Sequence, residues 1–268
     1  MHVIRTGLDL DENIQTFYAH SIDIVKKAEI PFLVGGAYAV ERYTGLIRPT
    51  NDFDIFVLGE HVEPALAAFE KAGYRSELTF PHWLGKAHFG DKFVDVIYSS
   101  GNGVAPVDGI WFEKARTAIV FGREVGIVPP EESIWSKAFI MERERYDGAD
   151  VAHLIEACGK DLDWHRLVRR FGTHWRVLFA HLILNGYIYP SRQDIVPAWV
   201  MRTMSDRLAA DINDDPLPLE LCRGPVLSRA QYLSDVEAGA MIDARMLPFG
   251  RMTAEEIEHW TDAIEQEK

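Results

Sequence analysis

Three acidic residues and a glycine pair carry the chemistry this sequence offers. Gly35 and Gly36 follow the apolar run Phe32-Leu33-Val34 and precede residues suited to a helix. A strand-to-helix turn without side chains lets backbone amides approach an anion, and the next helix aims its N-terminus at the same place. Asp52 and Asp54 flank Phe53 where a second apolar run begins. Residues two apart in a strand project from one face, about 7 Å apart along the chain. The two carboxylates can therefore lean together over shared cations, while Phe53, Ile55 and Val57 bury the opposite face. Asp95 interrupts the apolar strand Phe93-Val94-Asp95-Val96-Ile97. An ionised group there is expensive unless compensated; a metal held by all three carboxylates would compensate it, and so would a lysine or arginine partner. Hard oxygen donors in this number suit Mg2+ or Mn2+. Two such ions about 4 Å apart clamp the attacking and leaving oxygens of a phosphoryl displacement. The expectation is a site for a nucleoside triphosphate and two divalent ions, with Asp52, Asp54 and Asp95 as ligands.

The rest of the N-terminal half reads as the frame for these groups. Ile14, Phe17, Tyr18, Ile22 and Val25 recur at helical spacing, predicting a helix over 11–28. A helix over 37–44 ends at Gly45, and another opens at Pro64 and closes at Gly73. Residues 74–80 suit an edge strand, and 86–89 with 92–98 flank Gly90-Asp91 as a hairpin. Beyond Pro129-Pro130 helical patterns dominate, at 131–144, 151–158, 164–171, 177–185 and 198–210. Thr253 with Glu256 forms a capping box before a last helix, 254–266. The expected fold class is α+β: a small mixed sheet flanked by helices over 1–128, then a mainly α-helical domain over 129–268.

The order Gly-Gly, helix, Arg48-Pro49-Thr50-Asn51-Asp52-Phe53-Asp54, then a later strand Asp95 resembles the DNA polymerase β-type nucleotidyltransferase superfamily. The Arg-x-Thr-x-Asp-x-Asp form is similar to AbiEii-like toxin nucleotidyltransferases and to small antibiotic nucleotidyltransferases. The resemblance covers roughly residues 30–100 and implies a polymerase β-like fold that moves a nucleoside monophosphate from a triphosphate to an acceptor hydroxyl, with release of pyrophosphate. It also implies nucleotide contacts from Gly35, Gly36, Arg48 and Thr50. A second stretch extends it: the helix lysine Lys137, which the resemblance implies meets the nucleotide phosphates, and Asp147, which it implies assists catalysis, with Asp150 three residues on. Two positions depart from the pattern. Ala37 stands where a serine often follows the glycines, and Tyr146 where a basic residue usually precedes the aspartate.

Each of these residues has a plainer alternative. The glycines could serve only a tight turn, Arg48 could steady Asp52 or Asp54, and Thr50 could cap a local turn. Lys137 could be a surface lysine, and Asp147 the N-cap of a helix with Asp150 at its third position. His153, His165, His174 and His181 show no metal-ligand spacing. Composition narrows the partners. The 268 residues carry 28 Lys+Arg against 41 Asp+Glu, a formal net charge of -13. That argues against a broad nucleic-acid-gripping face, although Arg166, Arg169, Arg170 and Arg176 form a local basic cluster. Two cysteines build neither a disulfide framework nor a four-cysteine zinc site. The longest apolar segment, 177–184, is far short of a bilayer span, so no membrane partner and a cytoplasmic setting are expected. The acceptor stays open between a tRNA end, a protein hydroxyl and a small molecule such as an antibiotic, and no pattern fixes the oligomeric state. The rival reading is a non-catalytic nucleotide-sensing or toxin–antitoxin module on a degenerate transferase fold.

Overall fold

The alternation of buried and open positions in the strand bearing Asp52 and Asp54 sets the layers of the N-terminal unit. The computed structural model describes residues 12–47, 50, 52–213, 220–237 and 239–266. Two compact units divide the chain, Met1–Pro129 and Pro130–Lys268. In the first, α1 (Glu12–Lys27), β1 (Leu33–Val34), α2 (Gly36–Thr44), β2 (Asp52–Phe56) and α3 (Val62–Lys71) precede β3 (Arg75–Phe80), β4 (Leu84–Phe89) and β5 (Lys92–Ile97). A short α4 (Gly109–Glu113) then leads into the hairpin β6 (Arg116–Val120) and β7 (Arg123–Ile127). The strands form one seven-stranded mixed sheet in the order β3-β4-β5-β2-β1-β7-β6. β2 runs parallel to β5 and β1 parallel to β7; the other neighbours are antiparallel. The sheet is larger than expected by β6 and β7. Their turn, with Phe121 at φ 47 and Gly122 at φ 72, puts a phenylalanine where turn sequences normally place Asn or Asp.

Phe17, Tyr18, Ile22 and Val25 of α1 and Val62, Ala65 and Phe69 of α3 are buried in one core with Phe53, Ile55, Val94 and Val96 of the sheet. Fully burying an aliphatic or aromatic side chain of this size contributes roughly 1.5–3 kcal/mol, and these residues hold one sheet face dry. Period-two alternation then turns Asp52, Asp54 and Phe56 of β2, and Phe93 and Asp95 of β5, to the other face. There Phe56 stacks on the buried Trp111 of α4, with ring centroids 5.5 Å apart. Helix α3 starts at Val62, two residues before the proline expected to open it; Pro64 still lies in the first turn, where its missing N–H has no helical acceptor to lose.

The second unit is helical: α5 (Pro130–Lys137), α6 (Gly148–Cys158), α7 (Trp164–Phe171), α8 (Trp175–Ile188) and α9 (Ala198–Asn213). Short elements follow, β8 (Leu221–Cys222), α10 (Gly224–Leu227), α11 (Leu233–Glu237) and β9 (Ile242–Asp243), before α12 (Ala254–Gln266). The capping box holds: Glu256 accepts from the Thr253 amide at 2.7 Å, and Thr253 Oγ1 from the Glu256 amide at 3.2 Å. Helix α5 ends seven residues before the expected 144. The chain reverses instead, through a Met141–Tyr146 bridge and a bond from the Asp147 amide to the Ile140 carbonyl. No helix among the described residues is long and apolar enough to cross a membrane.

Candidate metal and nucleotide site

The sheet ladder itself brings the carboxylates together. Asp54 and Asp95 are register partners on the parallel pair β2–β5, and Asp52 lies one pleat away against Phe93. Each of the three offers an oxygen within 4.8 Å of the others. Asp95 is 8% exposed. Burial pushes its carboxyl above the ordinary range, Asp52 adds to the push, and the charge and hydrogen bond of Lys86 pull against both. The floor beneath is aromatic. Tyr18, Tyr38, Phe53 and Phe121 contact one another edge-on or tilted, with centroids 5.2–6.5 Å apart. Burial first, and then the three carboxylates above it, raise the Tyr18 phenol. Such a floor lowers the local dielectric and strengthens every charge interaction over it.

Gly36 is required by this arrangement. Its backbone is left-handed at φ +55, and a Cβ built there would stand 1.6 Å from Asp54 Oδ2. Gly35 is constrained from the other side, where a Cβ would strike the Phe56 ring at 2.1 Å. The amide of Gly35 donates to the Asp54 carbonyl at 3.0 Å. Amides for an anion therefore begin at Gly36, in the open first turn of α2. Thr50 Oγ1 donates to Asp52 Oδ1, which fixes that carboxylate. Arg48 lies outside the described residues.

Lys86 was not among the residues singled out from sequence. Its Nζ lies 2.8 Å from Asp95 Oδ1, so the counter-ion weighed as an alternative for Asp95 is present. A signal for it exists: a two-residue turn at Gly90-Asp91 sets Phe89 against Lys92 and hence Lys86 against Asp95.

Lys137, Asp147 and Asp150 meet in the second unit. Lys137 Nζ lies 2.8 Å from Asp147 Oδ2 and 2.9 Å from Asp150 Oδ2, and its side chain is 13% exposed, which corrects the surface-lysine alternative. Burial pulls its ammonium down, but the two aspartates outweigh it and raise the pKa. Asp147 occupies the N-cap position of α6, yet its side chain caps nothing. Both its oxygens take Arg145 instead, at 3.0 Å each. Burial pushes Asp147 up, but hydrogen bonds and charge from Arg145 and Lys137 hold it at about 2. Three of the four arginines of the basic cluster are ion-paired, and Arg169 is exposed. Arg166 binds Glu131 and Glu132, Arg170 binds Glu132 at 3.1 Å, and Arg176 binds Asp211 at 2.6 Å.

No protein-family model matches the sequence, and no curated protein matches it. Solved structures do. The antibiotic-resistance factor ANT(2'')-Ia is similar at 20% identity and a TM-score of 0.46, over 64% of this chain and 98% of that one. The lincosamide antibiotic adenylyltransferase LnuA, in a lincomycin-bound structure, is similar at 16% identity and a TM-score of 0.38, over 55% and 98%. An antigenic nucleotidyltransferase-like protein from Paracoccidioides brasiliensis is similar at 13% identity and a TM-score of 0.37, over 64% and 93%. Nucleotidyltransferases thus recur among the structures this chain is similar to.

Proposed function

We propose that the chain is a divalent-metal-dependent nucleotidyltransferase, moving a nucleoside monophosphate from a triphosphate to an acceptor hydroxyl and releasing pyrophosphate. One observation carries it: three carboxylates from two hydrogen-bonded strands converge within 4.8 Å, against a glycine that admits no side chain. A donor set of three carboxylate oxygens fits Mg2+ or Mn2+, and Asp52, Asp54 and Asp95 would hold the ions. The bound cations would neutralise the phosphates and acidify the attacking hydroxyl. Three anions this close repel one another strongly in a low-dielectric setting, an arrangement that a binding module has little cause to keep.

The chain's own groups supply the rest. The open first turn of α2, from Gly36 onward, faces the phosphates with backbone amides and the positive helix end. Asp95, buried beside Asp52 and Asp54, is the group suited to accept the proton of the acceptor hydroxyl. The bond that forms joins this hydroxyl oxygen to the α-phosphorus, the one that breaks joins the α-phosphorus to its bridging oxygen, and pyrophosphate departs. Thr50 keeps Asp52 turned inward. The pairing of Arg166, Arg170 and Arg176 with acidic neighbours weakens the support that cluster gave to an RNA acceptor, so a small hydroxylated molecule is the acceptor class to try first.

The test is release of pyrophosphate from each nucleoside triphosphate with Mg2+ or Mn2+, in the presence of aminoglycoside, lincosamide, total RNA or lysate protein. Turnover that Asp54→Asn abolishes supports transfer. Tight calorimetric binding of ATP and Mg2+, with no release under any acceptor, would instead support a nucleotide sensor.

A further inference from the structure

Lys86 lies outside the glycine turn and the acidic pair, yet it faces them. It stands on β4 across the ladder from Asp95, which places it on the sheet face that carries the carboxylates. Its Nζ is 2.8 Å from Asp95 Oδ1 and 3.7 Å from the centroid of the Phe93 ring. Phe93 and Asp95 are two apart on β5, so one strand face clamps the ammonium between an anion and a ring quadrupole. The next polar side chain along β4, His88, is turned to Glu77 at 3.1 Å. Within this cluster Lys86 ion-pairs with a single carboxylate, that of Asp95. Its ammonium makes the cluster less negative than the three carboxylates would be without it.

We infer that Lys86 is a positioning residue acting through Asp95. It is an internal counter-ion that holds the third carboxylate ready and, by its charge, weakens the cluster's hold on a bare divalent ion. A triphosphate brings enough negative charge to offset one ammonium, so the cluster binds its cations firmly together with the nucleotide and loosely without it. Metal arriving without a triphosphate is thereby kept from filling the site. The inference rests on the metal-binding reading proposed above and concerns its regulation.

By Coulomb's law a unit positive charge a few ångström from a divalent ion opposes its binding by about tenfold or more. The experiment is titration of the full chain with Mn2+ alone, following the free ion by electron paramagnetic resonance. Lys86→Gln, which keeps a hydrogen-bond donor but loses the charge, is expected to bind Mn2+ about tenfold tighter than the unmodified chain. Lys86→Met should show the same tightening, and Lys86→Arg should stay within about twofold. With a non-hydrolysable triphosphate present, the gap between Lys86→Gln and the unmodified chain should shrink. Unchanged or weaker Mn2+ binding by a folded Lys86→Gln or Lys86→Met, judged by thermal unfolding, overturns the inference and leaves Lys86 a prop for the strand. Mn2+ binding that Asp54→Asn does not affect overturns the metal site itself, whatever Lys86 does.

Discussion

Two clusters in this molecule join a mostly buried lysine to aspartates, and they differ in charge balance. On the sheet, Asp52, Asp54 and Asp95 cluster together and Lys86 pairs with Asp95. Among the helices, Asp147 and Asp150 share Lys137, and Arg145 supplies a second cation. The helical cluster is neutral and its hydrogen bonds are directed inward, which is how a buried ionic network avoids its desolvation penalty. The sheet cluster keeps an excess of negative charge against an aromatic floor. The contrast teaches that acidic residues beside a lysine signal a ligand only where the count leaves charge uncompensated.

The comparison can be broken by substitution. Asp54→Asn should lower turnover at least about a thousandfold by pyrophosphate release, while removal of one repelling anion leaves thermal stability equal or higher. Marked loss of stability would make the sheet cluster structural as well. Gly36→Ala forces a side chain onto Asp54 and a left-handed backbone, at a cost of about 2–4 kcal/mol in denaturant unfolding. Gly45→Ala is its control: that position is also left-handed, at φ +71, but opens on free space, so only about 1 kcal/mol is expected and Mn2+ affinity should not change.

Asp147→Asn tests the balanced cluster. Its carboxyl is held at about 2 against an ordinary 3.8, a difference worth about 2 kcal/mol of stability. The folded pKa is the lower one, so this contribution is complete above about pH 4 and disappears as the pH falls towards about 2. The difference in unfolding free energy between Asp147→Asn and the unmodified chain should follow that window, with Mn2+ affinity constant. A turnover defect at unchanged stability would give Asp147 the catalytic part its family resemblance implies. The smallest effect is expected from Thr50→Val, which frees Asp52 and should weaken Mn2+ binding a few-fold, roughly 1 kcal/mol, without shifting the melting temperature.

The sequence was most informative where chemistry follows a short period. Alternation in 52–57 places Asp52 and Asp54 on one face before any tertiary contact is known, and Gly90-Asp91 fixes the hairpin that pairs Lys86 with Asp95, whereas the place of Asp95 beside the acidic pair is set by the β2–β5 register. It was least informative where a distant partner decides. The pattern over 131–144 is helical throughout, yet the chain leaves the helix after Lys137 and is pinned by the Met141 amide to Leu227 and by the Asp147 amide to Ile140. Nothing local announces a contact with a residue more than eighty positions away. Hairpin β6–β7 was missed because Phe121 adopts a turn conformation that aromatic residues rarely take. The plain side chains of Arg166 and Arg170 read as a basic surface until Glu131 and Glu132 are seen to meet them.

Asp54 and Asp95 face each other as rungs of the same ladder, joined by main-chain hydrogen bonds and by no hinge. A slip of one residue would send one of them through to the greasy side, so there is no half-disabled version of the pair short of melting the strands. Tuning of such a centre falls to the charges placed around it, as with the ammonium of Lys86.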